Sequence, residues 1–131
     1  MVKYRLVDLH RKKSDVLIIH CSDPRFQDAH RHMIDKIDHY YDLLVMPGAS
    51  KAVVDNSSVI EAIQLLYKLH HFNAIHIMDH IECGVFGAVE NEIENHSKML
   101  TLAAEKIKLE LPQLEVVSHL LGEKAEIKLE I

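Results

Sequence analysis

The two cysteines of the chain each stand beside residues that could share chemistry with them: Cys21 opens Cys21-Ser22-Asp23-Pro24-Arg25, and Cys83 ends His80-Ile81-Glu82-Cys83 before Gly84. Two thiols and an imidazole match the nitrogen and sulfur preference of zinc, and three protein ligands leave the fourth tetrahedral position to water. Two thiolates also cancel the charge of the dication. His80 and Cys83 are three apart on a short turn, a spacing that lets both reach one ion. Asp23 can reach either the metal, as a fourth ligand, or a water bound to it, while the Arg25 fork holds the carboxylate in one orientation. Asp23 is also well placed as a helix N-cap before Pro24, and the two roles are compatible. The competing account of the cysteines is a pair of inert buried thiols. A tyrosine-phosphatase-like loop fits poorly, because the arginine follows the cysteine too closely and the turn lacks glycine; there is also no C-x-x-C for thiol exchange.

The elements that must position these residues are readable in outline. Asp15 to His20 is a short aliphatic run, too brief for a helix and typical of a strand buried on both faces. It ends at Cys21. Ser22-Asp23-Pro24 signals a helix start, and Phe26, Ala29, Met33, Ile34, Ile37 and Tyr41 recur at helical spacing, predicting an amphipathic helix to about His39. Asp42 to Met46 reads as a second strand, stopped by the turn Pro47-Gly48-Ala49-Ser50, with a linker to Asn56. Ser58 and Glu61 form a capping-box pattern for a helix over about Ser57 to His71. Asn73 to Met78 is the third strand and runs into Asp79 and His80. Phe86 to Glu94 is less readable; helical periodicity from Met99 to Glu110 ends at Pro112. Leu114 to Leu121 predicts a fourth strand. Gly122 to Lys124 makes a turn, and Ala125 to Ile131 alternates apolar and charged residues as a half-exposed edge strand does.

This order predicts an α/β, three-layer fold: a mainly parallel sheet of order about 2-1-3-4 and a C-terminal antiparallel edge strand. Strands 1 and 3 are then neighbours, and their carboxyl ends meet where the winding reverses, which is where open α/β sheets bind ligands. Cys21 therefore converges with His80 and Cys83. Both cysteines falling at one crevice with a histidine and an acid is what favours a metal site over inert thiols.

Composition narrows the rest. A 131-residue chain, 48% hydrophobic with 4 Gly and 3 Pro, predicts one domain over 1–131 with few long loops. Fifteen basic against twenty acidic residues leave no footprint for nucleic acid, and Arg11-Lys12-Lys13 reads as a solvated turn. No run approaches the roughly 20 apolar residues of a membrane helix, and the charged N-terminus lacks a secretory core, so no membrane partner and a cytoplasmic location are expected. Among eleven histidines, His20 and His76 lie within strands and are expected to be buried and structural. His10, His39, His70, His71, His96 and His119 carry no motif signal.

The pair Cys21-Ser22-Asp23-Pro24-Arg25 and His80-Ile81-Glu82-Cys83-Gly84 resembles the C-x-D-x-R and H-x-x-C-G signature of the β-class carbonic anhydrases, and the likeness extends over about residues 15 to 90. The chain is most similar to the short archaeal and bacterial branch. The resemblance implies Cys21, His80 and Cys83 as zinc ligands, with Asp23 and Arg25 as the dyad that positions the fourth ligand. In the family, an aspartate in the place of Asp23 can instead close the zinc as a fourth protein ligand, giving an inactive state that opens at higher pH. Met46-Pro47-Gly48-Ala49 stands where many members carry Arg-Asn-Ala-Gly, so an arginine and an amide are absent there.

The implied activity is reversible hydration of carbon dioxide to bicarbonate by a zinc-bound hydroxide. In the three-histidine carbonic anhydrase site, the standard reference case, zinc brings the water pKa to about 7. A dithiolate site donates more charge, which makes the water less acidic unless Asp23 and nearby dipoles compensate. His30 and His32, on the helix after Cys21, are candidate proton carriers, the alternative being plain exposed side chains. Other readings of the same site are a non-catalytic zinc- or bicarbonate-binding homologue, suggested by the missing arginine, and a hydrolase of carbonyl sulfide or carbon disulfide. The family further implies a homodimer or higher homo-oligomer.

Overall fold

Val16–His20 (β1) is five consecutive buried residues, which a strand achieves only when both faces of its sheet are covered. The protein is described from a computed structural model over residues 1–3, 5, 14–37, 40–87 and 90–130. The predicted turn at Arg11–Lys13, together with His10, His39 and Ile131, lies outside these. After β1 the chain makes a 3-10 turn, Pro24–Phe26, and then α1, Gln27–Ile37. It continues through β2 (Tyr41–Val45), α2 (Ser50–Asp55), α3 (Ser57–His70), β3 (Ala74–His80), α4 (Glu92–Glu110), β4 (Glu115–Leu121) and β5 (Glu126–Ile127). The sheet order is β2-β1-β3-β4-β5, parallel except for the last pair. That is the expected topology.

The pleat decides which helix sees which residue. Leu17, Ile19, Ile75 and Ile77 point to one face, where they pack with Val53 of α2, Val59 and Ile63 of α3, and Leu100, Ala103 and Ile107 of α4. Val16, Ile18, Ala74 and Met78 point to the other, covered by Ile34, Met33 and Ile37 of α1. Each fully buried isoleucine on β3 contributes about 1.5–3 kcal/mol relative to exposure. Strand β2 is the open edge, leaving Tyr41, Leu43 and Val45 partly exposed beside Val16, Ile18 and His20. Among the described residues no helix is long and apolar enough to cross a membrane.

Several boundaries differ from expectation. The linker before Asn56 is a helix, α2. Asn56, not Ser58, occupies the N-cap of α3, and its side chain donates to Ala52 O (3.2 Å), so the capping box does not form. Helix α4 begins at Glu92, within the less readable stretch and ahead of the periodicity that starts at Met99. Strand β5 is only Glu126–Ile127, paired with Leu121 and Leu120.

Buried histidines give the fold a pH dependence. His76 Nδ1 lies 2.9 Å from His119 Nε2, and His119 Nδ1 donates to Glu126 (2.8 Å). Burial first, then the neighbouring His119, lowers the His76 pKa to about 4; burial, helped by His20 and His80, lowers that of His30 to about 3. Both are ordinarily 6.5. The unfolded chain therefore takes up protons first on acidification, and stability present above about pH 6.5 is lost as pH falls toward 4. The urea midpoint is expected to be lower at pH 5 than at 7.5, and His76→Gln to narrow that gap. Equal midpoints at the two pH values would refute the assignment.

Candidate metal centre

Two loops at the carboxyl ends of β1 and β3 carry the predicted residues. Because the strands pair in register, His20 beside Met78, Cys21 leaves β1 close to where His80 ends β3. The Sγ atoms of Cys21 and Cys83 and a ring nitrogen of His80 all lie within 4.8 Å of one another, and all three residues are buried. His80 Nδ1 donates to Ile81 O (2.7 Å), which fixes the tautomer and leaves the Nε2 lone pair for the pocket, where Nε2 is buried without a partner. The Phe26 ring stacks on the imidazole at 4.2 Å and keeps it from rotating.

The electrostatics suit a cation. Burial alone would lower the His80 pKa, but the Cys21 sulfur, the Ile81 carbonyl and the Asp23 charge outweigh it and raise it. A hydrogen bond with the Cys83 thiol pulls the Cys21 pKa down, with His80 and the Gly48 and Asp23 amides adding to it. The Cys83 pKa is correspondingly pushed up by Cys21 and by burial. Two sulfurs compete for one negative charge, a conflict that a dication between them removes. An orphaned buried imidazole nitrogen and two thiols at this separation fit a tetrahedral nitrogen–sulfur site.

Asp23 and Arg25 meet as expected. Asp23 caps the 3-10 turn by accepting from Arg25 N (2.9 Å), and both its oxygens accept from the guanidinium, Oδ2 from Nη2 at 2.8 Å. Arg25 holds the Asp23 pKa at about 2. Asp23 Oδ2 lies 3.9 Å from His80 Nε2. Arg25 also reaches across, donating from Nη2 to Glu82 O (2.8 Å) and from Nη1 to Glu82 Oε2 (3.3 Å). The residues that turn one loop thereby grip the other.

Other contributors were not anticipated. Gly48 N donates to Cys21 Sγ (3.3 Å) from a backbone at φ 83°, and a Cβ there would stand 2.7 Å from Val85 Cγ1, so only glycine fits. Asp79, directly before His80, is buried: it accepts from Ser50 N (3.0 Å), Ser50 Oγ (2.6 Å) and His96 Nδ1 (2.8 Å). A lone carboxylate at the end of an aliphatic strand was the available signal for this network. His30 is not the plain exposed side chain of the alternative reading: it is 1% exposed and stacked on His20 at 4.1 Å, with neither ring nitrogen hydrogen-bonded. His32 is exposed as expected. His20 is buried, and His76 is half-buried.

The model of a family described as "Putative carbonic anhydrase" matches residues 11–130. The chain belongs to this family. Two relatives described only as uncharacterized proteins, from Rickettsia bellii and Rickettsia conorii, are 29% and 28% identical over 142 residues, covering 93% of this chain and 87% and 76% of theirs. Among solved structures, β-carbonic anhydrase isoform I of Trichomonas vaginalis superposes with a TM-score of 0.70 at 13% identity, over 94% of this chain and 86% of that one. Carbonic anhydrase of Streptococcus mutans follows at 0.61 and 14%, over 95% and 88%. Tetrameric β-carbonic anhydrases of Sordaria macrospora give 0.54 and 13%, over 92% and 83%. At these identities the likeness is one of fold, and the fold is that of the β-class carbonic anhydrases. Within that carbonic anhydrase fold, the buried Cys-His-Cys group is the place where a metal could be held.

Proposed function

We propose that the chain is a zinc-dependent carbonic anhydrase that hydrates carbon dioxide reversibly to bicarbonate and a proton. The observation that carries this reading is the convergence of Cys21, His80 and Cys83 on one point, with an unpartnered Nε2 aimed into it. These three residues would hold zinc, which supplies a Lewis acid that acidifies water at its open position. Asp23 accepts a hydrogen bond from water beside it and turns the oxygen lone pair toward carbon dioxide. Arg25 keeps both Asp23 oxygens occupied, which restrains the carboxylate from swinging in as a fourth ligand. That restraint favours catalysis over a closed, purely binding site. Phe26, stacked on His80, and the burial of Cys21 and Cys83 keep bulk water from the thiols.

Association into a homo-oligomer is part of the same proposal. The Sordaria relatives are tetrameric, and the apolar side chains Tyr41, Leu43 and Val45 on the open edge are surface that a second copy would cover.

The test is stopped-flow hydration of carbon dioxide between pH 7 and 9, paired with metal analysis. About one zinc per chain and a rate that chelation abolishes and zinc restores are expected. Stoichiometric zinc without acceleration would overturn the enzymatic reading.

A further inference from the structure

Glu82, the residue before Cys83, has φ 57°, left-handed backbone that costs a non-glycine residue about 1–2 kcal/mol. Such a residue persists only where its surroundings over-determine it. Both backbone groups of Glu82 are held from outside its own loop. Its carbonyl accepts from Arg25 Nη2, and its N–H donates to the Glu92 carboxylate on the first turn of α4. One turn further along the same helix, His96 is fully buried between two carboxylates: Nδ1 donates to Asp79, and Nε2 lies 4.0 Å from Glu92 Oε1. The His96 ring also packs at 4.0 Å on Phe86, whose N–H donates to Cys83 O. The start of α4 thus touches the site loop at Glu82 and Phe86, on either side of Cys83, and touches β3 at Asp79, one residue before His80.

We propose that Glu92, with His96 packed beside it on Phe86, is the positioning residue that holds the Ile81–Phe86 loop in the conformation that presents the Cys83 sulfur beside the His80 ring nitrogen and the Cys21 sulfur. This rests on the metal-site reading above. Glu92 touches no ligand atom; it acts through the peptide of Glu82. What matters is a carboxyl-type oxygen at the Oε1 position, not the charge, because the partner is a neutral backbone N–H.

Cobalt(II) is the probe. Its affinity, measured against a chromophoric chelator, and the thiolate-to-cobalt charge-transfer band both report the placement of the sulfurs without any turnover. Glu92→Ala is expected to weaken cobalt binding about tenfold and to diminish or shift that band, as loss of a ligand-orienting partner does in metal sites. Glu92→Gln, which keeps an amide oxygen, is expected to stay near wild type. Urea midpoints of the three proteins show that each is folded. Cobalt affinity and spectrum unchanged in Glu92→Ala, even with a lowered midpoint, would overturn the proposal, as would Glu92→Gln failing to the same extent as Glu92→Ala. A wild-type chain that takes up no cobalt overturns the metal reading itself. A wild-type chain that binds cobalt but does not hydrate carbon dioxide overturns only the proposed reaction.

Discussion

Cys83→Ser is expected to lower zinc binding and carbon dioxide hydration by on the order of a hundredfold or more, while leaving the fold nearly intact. The asymmetry follows from what surrounds the sulfur. Backbone N–H groups of Val85 and Phe86 lower the Cys83 pKa, and a serine oxygen accepts from those donors as well as sulfur does. The side chain is only 4% exposed, and oxygen is smaller than sulfur, so the change leaves a slight gap and no orphaned donor. A cost below about 1 kcal/mol is expected. Metal binding fares differently, because a serine hydroxyl does not deprotonate near neutral pH and the dication is left with a single thiolate. The pair of measurements is zinc per chain after dialysis and the urea midpoint. A Cys83→Ser protein that keeps stoichiometric zinc and its hydration rate would show that the metal, if held, is held elsewhere.

The residues of the candidate centre were legible because their types are rare and their positions are tied to strand ends. Two cysteines at the ends of β1 and β3 can be brought together by one topological rule, and the observed order β2-β1-β3-β4-β5 obeys it. Asp23 was legible twice over, as a cap and as a partner of Arg25, and it serves as both. Backbone contributions were not readable. The Gly48 N–H on Cys21 depends on a left-handed turn whose next residue, Ala49, also has positive φ, at 40°. An alanine there carries no turn signal, since only the surrounding contacts make that conformation tolerable.

Length explains the missed helix. Helix α2 has six residues, too few for an apolar stripe to repeat, and it follows directly on a Pro-Gly pair that reads as the start of a loop. Its stability comes from packing: Ala52 and Val53 are buried in the main core, and Lys106 of α4 donates to the carbonyls of Val53 (2.8 Å) and Val54 (2.9 Å) near its end. The capping box failed for a related reason. With α2 ending at Asp55, Asn56 has extended backbone that serves as the cap position itself, one helix ending where the other begins. Charge alternation over Ala125 to Ile131 predicts a full strand, yet among the described residues β5 pairs with β4 only through Leu120 and Leu121.

Asp79→Ala is expected to be the most destabilising single change outside the ligands, by about 3–5 kcal/mol. Asp79 is 1% exposed, and it is the acceptor for Ser50 N–H, Ser50 O–H and His96 Nδ1–H, groups on α2 and α4 that are themselves buried. Truncation strands all three donors where water cannot reach them, at about 1–3 kcal/mol for each buried group left unpaired, less whatever the Ser50 hydroxyl recovers by rotating. A domain of this size has about 5–15 kcal/mol in total, so the loss is a large part of its stability. Asp79→Asn separates hydrogen bonding from charge: its amide oxygen can serve the Ser50 side, but its NH2 group then confronts His96 Nδ1–H or forces the other tautomer. It should fall between wild type and alanine. The readout is the urea midpoint at pH 7.5, and an alanine variant within 1 kcal/mol of wild type would mean that the three donors find other partners. The same substitution loosens the site from behind, because the Ser50 amide fixes the turn from which Gly48 donates to Cys21. Because all three ligands remain, zinc is expected to recover part of the lost stability of Asp79→Ala by mass action on the folded state, and to raise its midpoint by more than it raises that of Cys83→Ser.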